Sequence, residues 1–215
     1  RAAVQGRMKG STMKDKKCEL DYFYIGKSYG GNQRWMRDWW MHIGGCAALT
    51  VCDVLIYCAL HRDKPELYPY DVDDITKKDY KRFAMAMKLY LQPRRGGIKE
   101  LHTFMEGAAI YFEDIEAEYI KMKSIPGEES FETARDNIKA QIDAGLPAAY
   151  LMLKHKDKKF DFFEWHWFAV NGYEEREDGF YIKAATYGAA HWLNLQELWD
   201  TGFDEKGGVV LFENI

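Results

Sequence analysis

The segment Cys46–His61 is apolar on nearly every side, and it constrains the fold more than any other part of the chain. A helix with apolar residues all round has no polar face for water, so it must be buried on all sides. At 16 residues it is shorter than the ~18–20 apolar residues that a membrane-spanning helix needs. We therefore expect it to be the central helix of a soluble core. Its apolar residues are Ala47, Ala48, Leu49, Val51, Val54, Leu55, Ile56, Tyr57 and Leu60.

Three further segments have the periodicity of amphipathic helices. They are residues 76–91, 97–115 and 130–145, and the last begins with Ser130 as its N-cap. The later part of the chain contains aromatic and β-branched runs separated by turn residues, which predict strands. The chain is therefore predicted to be an α+β protein whose helical N-terminal half packs on an antiparallel C-terminal sheet. The predicted strands are residues 148–155, 165–173, 179–186 and 208–212.

Length and composition indicate one domain with one sizeable core. The 215 residues are 47% hydrophobic, and no linker-like or repeated segment divides them. Residues 1–12 are polar and without periodicity, and Met13 follows them. We interpret 1–12 as a tag or a disordered leader, and 13–215 as the folded domain.

Charge and cysteine content exclude several classes of protein. The net charge is −4 with both signs interspersed, so no basic surface for nucleic acid or an anionic membrane is indicated. No run of ~18 apolar residues or signal-peptide layout is present, which predicts no membrane span and a cytoplasmic location. The four cysteines are too few for a disulfide scaffold. Three of them, six residues apart, rotate by about 240° per step on a helix and share no face for a metal.

Cys46 occupies a chemically special position, because it follows Gly44 and Gly45 at the predicted first turn of the central helix. The positive end of a helix dipole stabilises a thiolate, which is the nucleophilic form of cysteine. The unpaired N–H groups of that turn can also receive an oxyanion. Cys46 is thus a candidate nucleophile, and an inert core cysteine is the alternative. Cys52 and Cys58 lie deeper in the same apolar segment and are expected to be inert.

His166 is the candidate base, because it starts an aromatic predicted strand in the second half of the chain. Histidine is the side chain best suited to accept a thiol proton near neutral pH. The alternative is an ordinary buried core histidine. The other histidines have weaker contexts: His61 and His102 are predicted to be helical, and His191 is predicted to lie in a loop.

Several short motifs resemble those of papain-like cysteine peptidases. The sequence Gly-Gly-Cys-Ala-Ala at 44–48 resembles the motif around the nucleophile, most closely in the bacterial branch related to double-glycine leader (bacteriocin-processing) peptidases. Residues 166–173, His-Trp-Phe-Ala-Val-Asn-Gly-Tyr, are similar to the strand that begins with the catalytic histidine in that branch. Thr-Tyr-Gly at 186–188 resembles the Ser-Trp-Gly that follows the third catalytic residue. The resemblance extends over roughly residues 30–212.

This resemblance implies a papain-like (cysteine proteinase) fold and an acyl-enzyme mechanism on a peptide or other amide. Cys46 would attack the carbonyl, and His166 would protonate the leaving amine. The family's oxyanion donor is a Gln shortly before the cysteine, and the nearest Gln here is Gln33. Gln33 follows a glycine-containing loop, and an exposed loop residue is the alternative. No metal, organic cofactor or nucleic-acid partner is implied, and no oligomeric state is indicated.

The chain departs from the family at the residue that orients the histidine. The family has Asn or Asp where this chain has Ala185, whose side chain accepts no hydrogen bond. Either Cys46 and His166 act as a dyad, or Thr186, Glu164 or a backbone carbonyl replaces the missing acceptor. A catalytically lapsed binding protein and a transglutaminase-like acyltransferase remain alternatives to a hydrolase. Most of the tryptophans flanking both candidates are expected to form the core or the cleft wall: Trp35, Trp39, Trp40, Trp165 and Trp167.

Overall fold

A seven-stranded antiparallel sheet organises the chain in the computed structural model, which describes residues 16–215. Its strand order is β4-β9-β5-β6-β7-β8, and β1 pairs with the second half of β6 beside β5. Two very short strands form a separate hairpin. The strands are β1 (Lys16–Glu19), the hairpin strands β2 (Tyr24–Ile25) and β3 (Ser28–Tyr29), β4 (Lys121–Pro126), β5 (Ala148–Met152), β6 (His166–Arg176), β7 (Gly179–Thr186), β8 (Ala189–Asn194) and β9 (Gly208–Glu213).

Helices cover both faces of this sheet, so the described residues confirm the predicted α+β class. Side chains alternate along the strands: Leu151 and Ala169 pack in the core that contains α2, whereas Tyr150 and Phe168 pack in the core that contains α5 and α6. The predicted leader at 1–12 lies outside the described residues. The helices are α1 (Trp39–Gly44), α2 (Cys46–His61), α3 (Lys77–Met87), α4 (Leu101–Asp114), α5 (Phe131–Asp143) and α6 (Leu195–Trp199).

Helix α2 has the position that its composition predicts. It begins at Cys46 and ends at His61, and 14 of its 16 residues are buried. It packs against β5 and β6 on one side and α3 on the other. Because nothing on this helix needs contact with water, its sequence alone is enough to place it in the core.

The division into a helical half and a sheet half is only partly correct. Strand β1 comes from the N-terminal part and pairs with Gly172–Glu175 of β6, and β4 comes from the middle of the chain. His191, predicted to lie in a loop, is on β8. The missed strands are at the periphery of the sheet, where side chains face solvent and carry little apolar pattern.

A single residue, Gly45, separates α1 from α2. Its N–H donates to the Met41 carbonyl at 3.0 Å, which closes the last turn of α1. A Cβ at this position would lie 2.5 Å from the carbonyl oxygen of Met41 and 3.0 Å from the Cα of Met41. Only glycine therefore allows the chain to turn here directly into the first residue of α2.

Within the described residues, no helix combines the length and the apolar character needed to cross a membrane.

Gly45→Ala should destabilise the protein by about 1–3 kcal/mol, because the new methyl group overlaps fixed backbone atoms. Gly44→Ala is the matched control: its Cβ would have its nearest neighbours at 3.4 Å, and the substitution should change stability little. Urea unfolding of both variants measures the difference. Equal stability of the two variants would show that the close approach at Gly45 is absent in solution.

Candidate active site

Cys46 is the first residue of α2, and its side chain is buried. The N-cap is Gly45, which has no side chain to occupy the N–H groups of the first turn. Burial raises the pKa of the Cys46 thiol, and the backbone N–H groups of Trp167, Ala47 and Cys46 act in the opposite direction. The Trp167 N–H belongs to β6, so the start of the helix and the start of that strand meet at the sulfur.

His166 is the first residue of β6, and it is held on two sides. Its Nε2 lies 2.7 Å from the hydroxyl oxygen of Thr186, at the end of β7. The Tyr187 ring stacks on the imidazole, with 4.8 Å between ring centroids and 3° between planes. Both Trp165 and Tyr187 have positive φ, 52° and 50°. Left-handed backbone at non-glycine residues is uncommon and often marks functional sites.

Cys46 and His166 line the same cavity, which has a volume of about 430 Å³. A smaller cavity beneath it, of about 20 Å³, is also lined by both residues, together with Thr186. Their side chains make no direct hydrogen bond in the part of the chain that the structure describes. The large cavity is bounded by Gln33, Trp40, Ile43, Gly44, Cys46, the loop 94–97, Glu164, Trp165, His166 and Tyr187.

Gln33 reaches the cavity from the loop after the β2–β3 hairpin. It begins a short 3-10 helix capped by the Asn32 side chain, and only 5% of its surface is exposed. Its Nε2 donates to the His42 carbonyl at 3.0 Å, and its buried Oε1 has no partner among the described residues. The alternative of an exposed loop glutamine is therefore wrong. Its role as an oxyanion donor stays a prediction, for which one amide hydrogen is still available.

The buried carboxylate of Asp53 holds the loop that carries Gln33. It accepts hydrogen bonds from the hydroxyls of Tyr22 at 2.9 Å and Tyr80 at 2.6 Å, and from the N–H of Gly31 at 3.2 Å. Burial raises the pKa of Asp53 to about 6, and these donors oppose the shift. Sequence reasoning missed this residue, because a lone Asp in an apolar helix gives no indication of its partners.

The three residues suggested as orienting or cleft groups make different contacts in the structure. Thr186 contacts His166, as described above. Glu164 lines the cavity, but its Oε1 accepts the His155 N–H at 2.7 Å. Trp167 is buried, donates from Nε1 to the Ile98 carbonyl at 2.8 Å, and stacks on Phe104. Of the candidate substitutes for the missing acceptor, Thr186 is thus the one whose side chain meets the imidazole.

Strand alternation explains why Thr186 rather than Ala185 makes this contact. Ala185 is buried in the core beside α2, and the next side chain along β7 points the other way. Of the flanking tryptophans, Trp39 is the exception to the expectation, because it is 68% exposed on α1. The contact of Tyr187 with the imidazole was not predicted, although Thr-Tyr-Gly was identified as a motif.

Both candidate catalytic groups are neutral near pH 7. Burial lowers the pKa of His166 to about 3 and raises that of Cys46 above its ordinary value. Burial of the sulfur thus opposes the thiolate that the helix terminus and the nearby N–H groups favour. A proton must leave the thiol during the reaction rather than before it.

Iodoacetamide should alkylate Cys46 before Cys52 and Cys58, because Cys46 lines an open cavity whereas the other two are fully buried in α2. Since the Cys46 pKa is raised, its labelling rate should keep rising with pH up to about 9 or beyond. Peptide mapping by mass spectrometry between pH 6 and 10 measures both effects, and the partly exposed Cys18 serves as an internal reference. A rate that levels off below pH 7 would instead indicate a thiolate–imidazolium pair.

Comparison with protein-family models, with curated proteins and with solved structures found no match to this chain. The resemblance to papain-like peptidases is therefore one of short sequence motifs alone.

Proposed function

We propose that this protein is a cysteine hydrolase with a papain-like arrangement, cleaving a peptide or other amide bond through an acyl-enzyme on Cys46. The observation that carries the proposal is the shared cavity of Cys46 and His166, with the imidazole braced by Thr186. A cysteine at a helix start facing a histidine at a strand start is also what the resemblance implies. An inert core cysteine would not be expected to line an open cavity together with an imidazole that Thr186 holds in place.

The Thr186 contact occupies Nε2 of His166 and leaves Nδ1 as the nitrogen that can act as the base. When His166 donates its Nε2–H to the Thr186 hydroxyl oxygen, Nδ1 keeps the lone pair that accepts a proton. A hydroxyl can thus hold the ring orientation as an Asn carbonyl would, but because it can also donate, it does not by itself fix the tautomer. Because it carries no charge, it stabilises the imidazolium less than a carboxylate does. Tyr187, stacked on the ring, restricts its rotation.

The reaction follows from this neutral starting state. The Cys46 sulfur bonds to the substrate carbonyl carbon as its proton passes to His166 Nδ1. The Cys46 N–H and the remaining Gln33 amide hydrogen donate to the oxyanion. His166 then gives the proton to the leaving nitrogen as the C–N bond breaks. Water, losing a proton to His166, attacks the thioester and releases the acid and the thiol.

Wild type, Cys46→Ala and Cys46→Ser should be compared on activated esters and peptide anilides. We expect turnover by the wild type only, with a covalent acyl adduct on Cys46 in the intact mass. The same mixture with an added amine separates hydrolysis from acyl transfer by its products. Wild-type rates equal to those of Cys46→Ala across these substrates would contradict the proposal and favour a non-catalytic binding protein, which the neutral, strongly desolvated His166 would then explain.

Thr186→Val should lower kcat/KM by about tenfold, because it keeps the shape of the side chain but removes the partner of Nε2. Thr186→Ser retains the hydroxyl and should recover most of the activity. Both variants should unfold at similar urea concentrations, which separates positioning from a loss of stability. If Val and Ser behave alike, Thr186 does not position His166.

A further inference from the structure

Basic residues lie at the cavity that Cys46 and His166 share. Arg94 and Arg95 lie on an exposed loop that lines the cavity. Arg34 lies over the Tyr187 ring at 5.0 Å, and Lys99 over the Trp165 ring at 4.8 Å, and both rings line the same cavity. Two cations thus line the cavity, and two more lie against side chains that line it.

These four cations are not neutralised by the protein. Within residues 16–215, none of them forms an ion pair with a carboxylate, although nine ion pairs of Lys or Arg occur elsewhere in this region. One carboxylate, Glu164, also lines the cavity and accepts the His155 N–H, and its single negative charge offsets only part of the positive charge. The chain as a whole has a net charge of −4, so this basic region has the opposite sign to the overall charge.

Gln33 gives a second, independent indication of a ligand. The residue lines the cavity, and its Oε1 is closed to solvent and unpartnered among the described residues. A buried carbonyl oxygen without a donor is costly, at about 1–3 kcal/mol, unless a ligand or water supplies one. An N–H donor of a bound amide would satisfy it.

We infer that the substrate is an acidic amide: one that carries a carboxylate close to the scissile bond, held by Arg94 and Arg95, and an N–H group accepted by Gln33 Oε1. Arginine binds carboxylates through paired N–H donors, which gives both orientation and selectivity. The carboxylate comes either from an Asp or Glu side chain or from a peptide C-terminus. This inference deepens the proposed function and rests on it for the position of the scissile bond.

The test uses matched peptide anilides that carry Glu, Gln or Lys on the acyl side, and matched peptides with a free or amidated C-terminus on the leaving side. We expect kcat/KM for a carboxylate substrate to exceed that of its amide by about tenfold at low salt. The ratio should fall towards one in 0.5 M NaCl, because exposed charges are screened. Preference in only one of the two series identifies the source of the carboxylate.

The double variant Arg94→Gln/Arg95→Gln should reduce the carboxylate-to-amide ratio to about twofold or less. The control Lys78→Gln/Lys121→Gln removes the same charge from exposed positions outside this cavity and should keep the ratio. A ratio near one for the wild type, or an equal ratio in both double variants, would overturn the inference while turnover itself still supports the hydrolase.

If the wild type turns over none of these substrates, measuring how tightly the peptides bind tests the acidic-ligand inference without turnover. Calorimetry of Cys46→Ala with the Glu peptide, the Gln peptide and their amidated forms should show tighter binding of the carboxylate forms by about tenfold, lost in Arg94→Gln/Arg95→Gln. Equal binding of all forms would refute it, and selective binding would keep the acidic ligand while the hydrolase proposal fails.

Discussion

The buried carboxylate of Asp53 is the interaction on which the geometry of the cavity depends. It joins α2, α3 and the loop before Gln33 through Tyr80, Tyr22 and the Gly31 N–H. Replacing it with an apolar side chain would leave the Tyr22 hydroxyl and the Gly31 N–H without an acceptor, at about 1–3 kcal/mol each, and the Tyr80 hydroxyl with only the Leu49 carbonyl at 3.4 Å. The loop fits only because it is Gly-Gly: a Cβ at Gly31 would overlap the Tyr80 hydroxyl. Packing and hydrogen bonding thus fix the position of Gln33.

Desolvation is the second physical constraint on this site. The same burial that shields a thioester from bulk water also makes both ionised forms, thiolate and imidazolium, unfavourable before substrate arrives. A bound acidic substrate beside the four cations would change the electrostatic field at the site. The N–H dipoles at the start of α2 act directly on the sulfur and favour its ionised form. In the proposed chemistry, charge is therefore created only when the reacting carbonyl is present to receive it.

The sequence correctly predicted the elements that strong local patterns define. The apolar segment of α2 and strand β7 have the predicted bounds, because burial on all sides and sharp turn residues define them. It did not identify β1 and β4, whose side chains are largely exposed, or β8, which is only partly buried at the edge of the sheet. Contacts between distant residues were equally out of reach: Asp53 with Tyr80, and Gln33 with the His42 carbonyl, depend on how separate elements meet in space.

For the candidate site, the sequence predicted best which residues line the cavity, and it predicted least well whether they are ionised. Cys46 and His166 were singled out by position, and the structure places both on one cavity. Thr186 was one of several candidates, and strand alternation beside Ala185 distinguishes it from the others. The burial that opposes a thiolate at Cys46 could not be predicted, because solvent exclusion is a property of the assembled core, which no local motif encodes.

The short helix α1 determines how accurately the two sides of the cavity are aligned. The carbonyl of His42 on this helix holds the Gln33 amide, and the helix ends one residue before Cys46. Among its six residues only Met41 and Gly44 are buried, while Trp39 and Ile43 are largely exposed. Because α1 contacts the Gln33 amide and ends next to Cys46, any displacement of this helix would move the nucleophile and the candidate oxyanion donor together. The alignment of the two groups therefore depends on one short helix rather than on two separate elements.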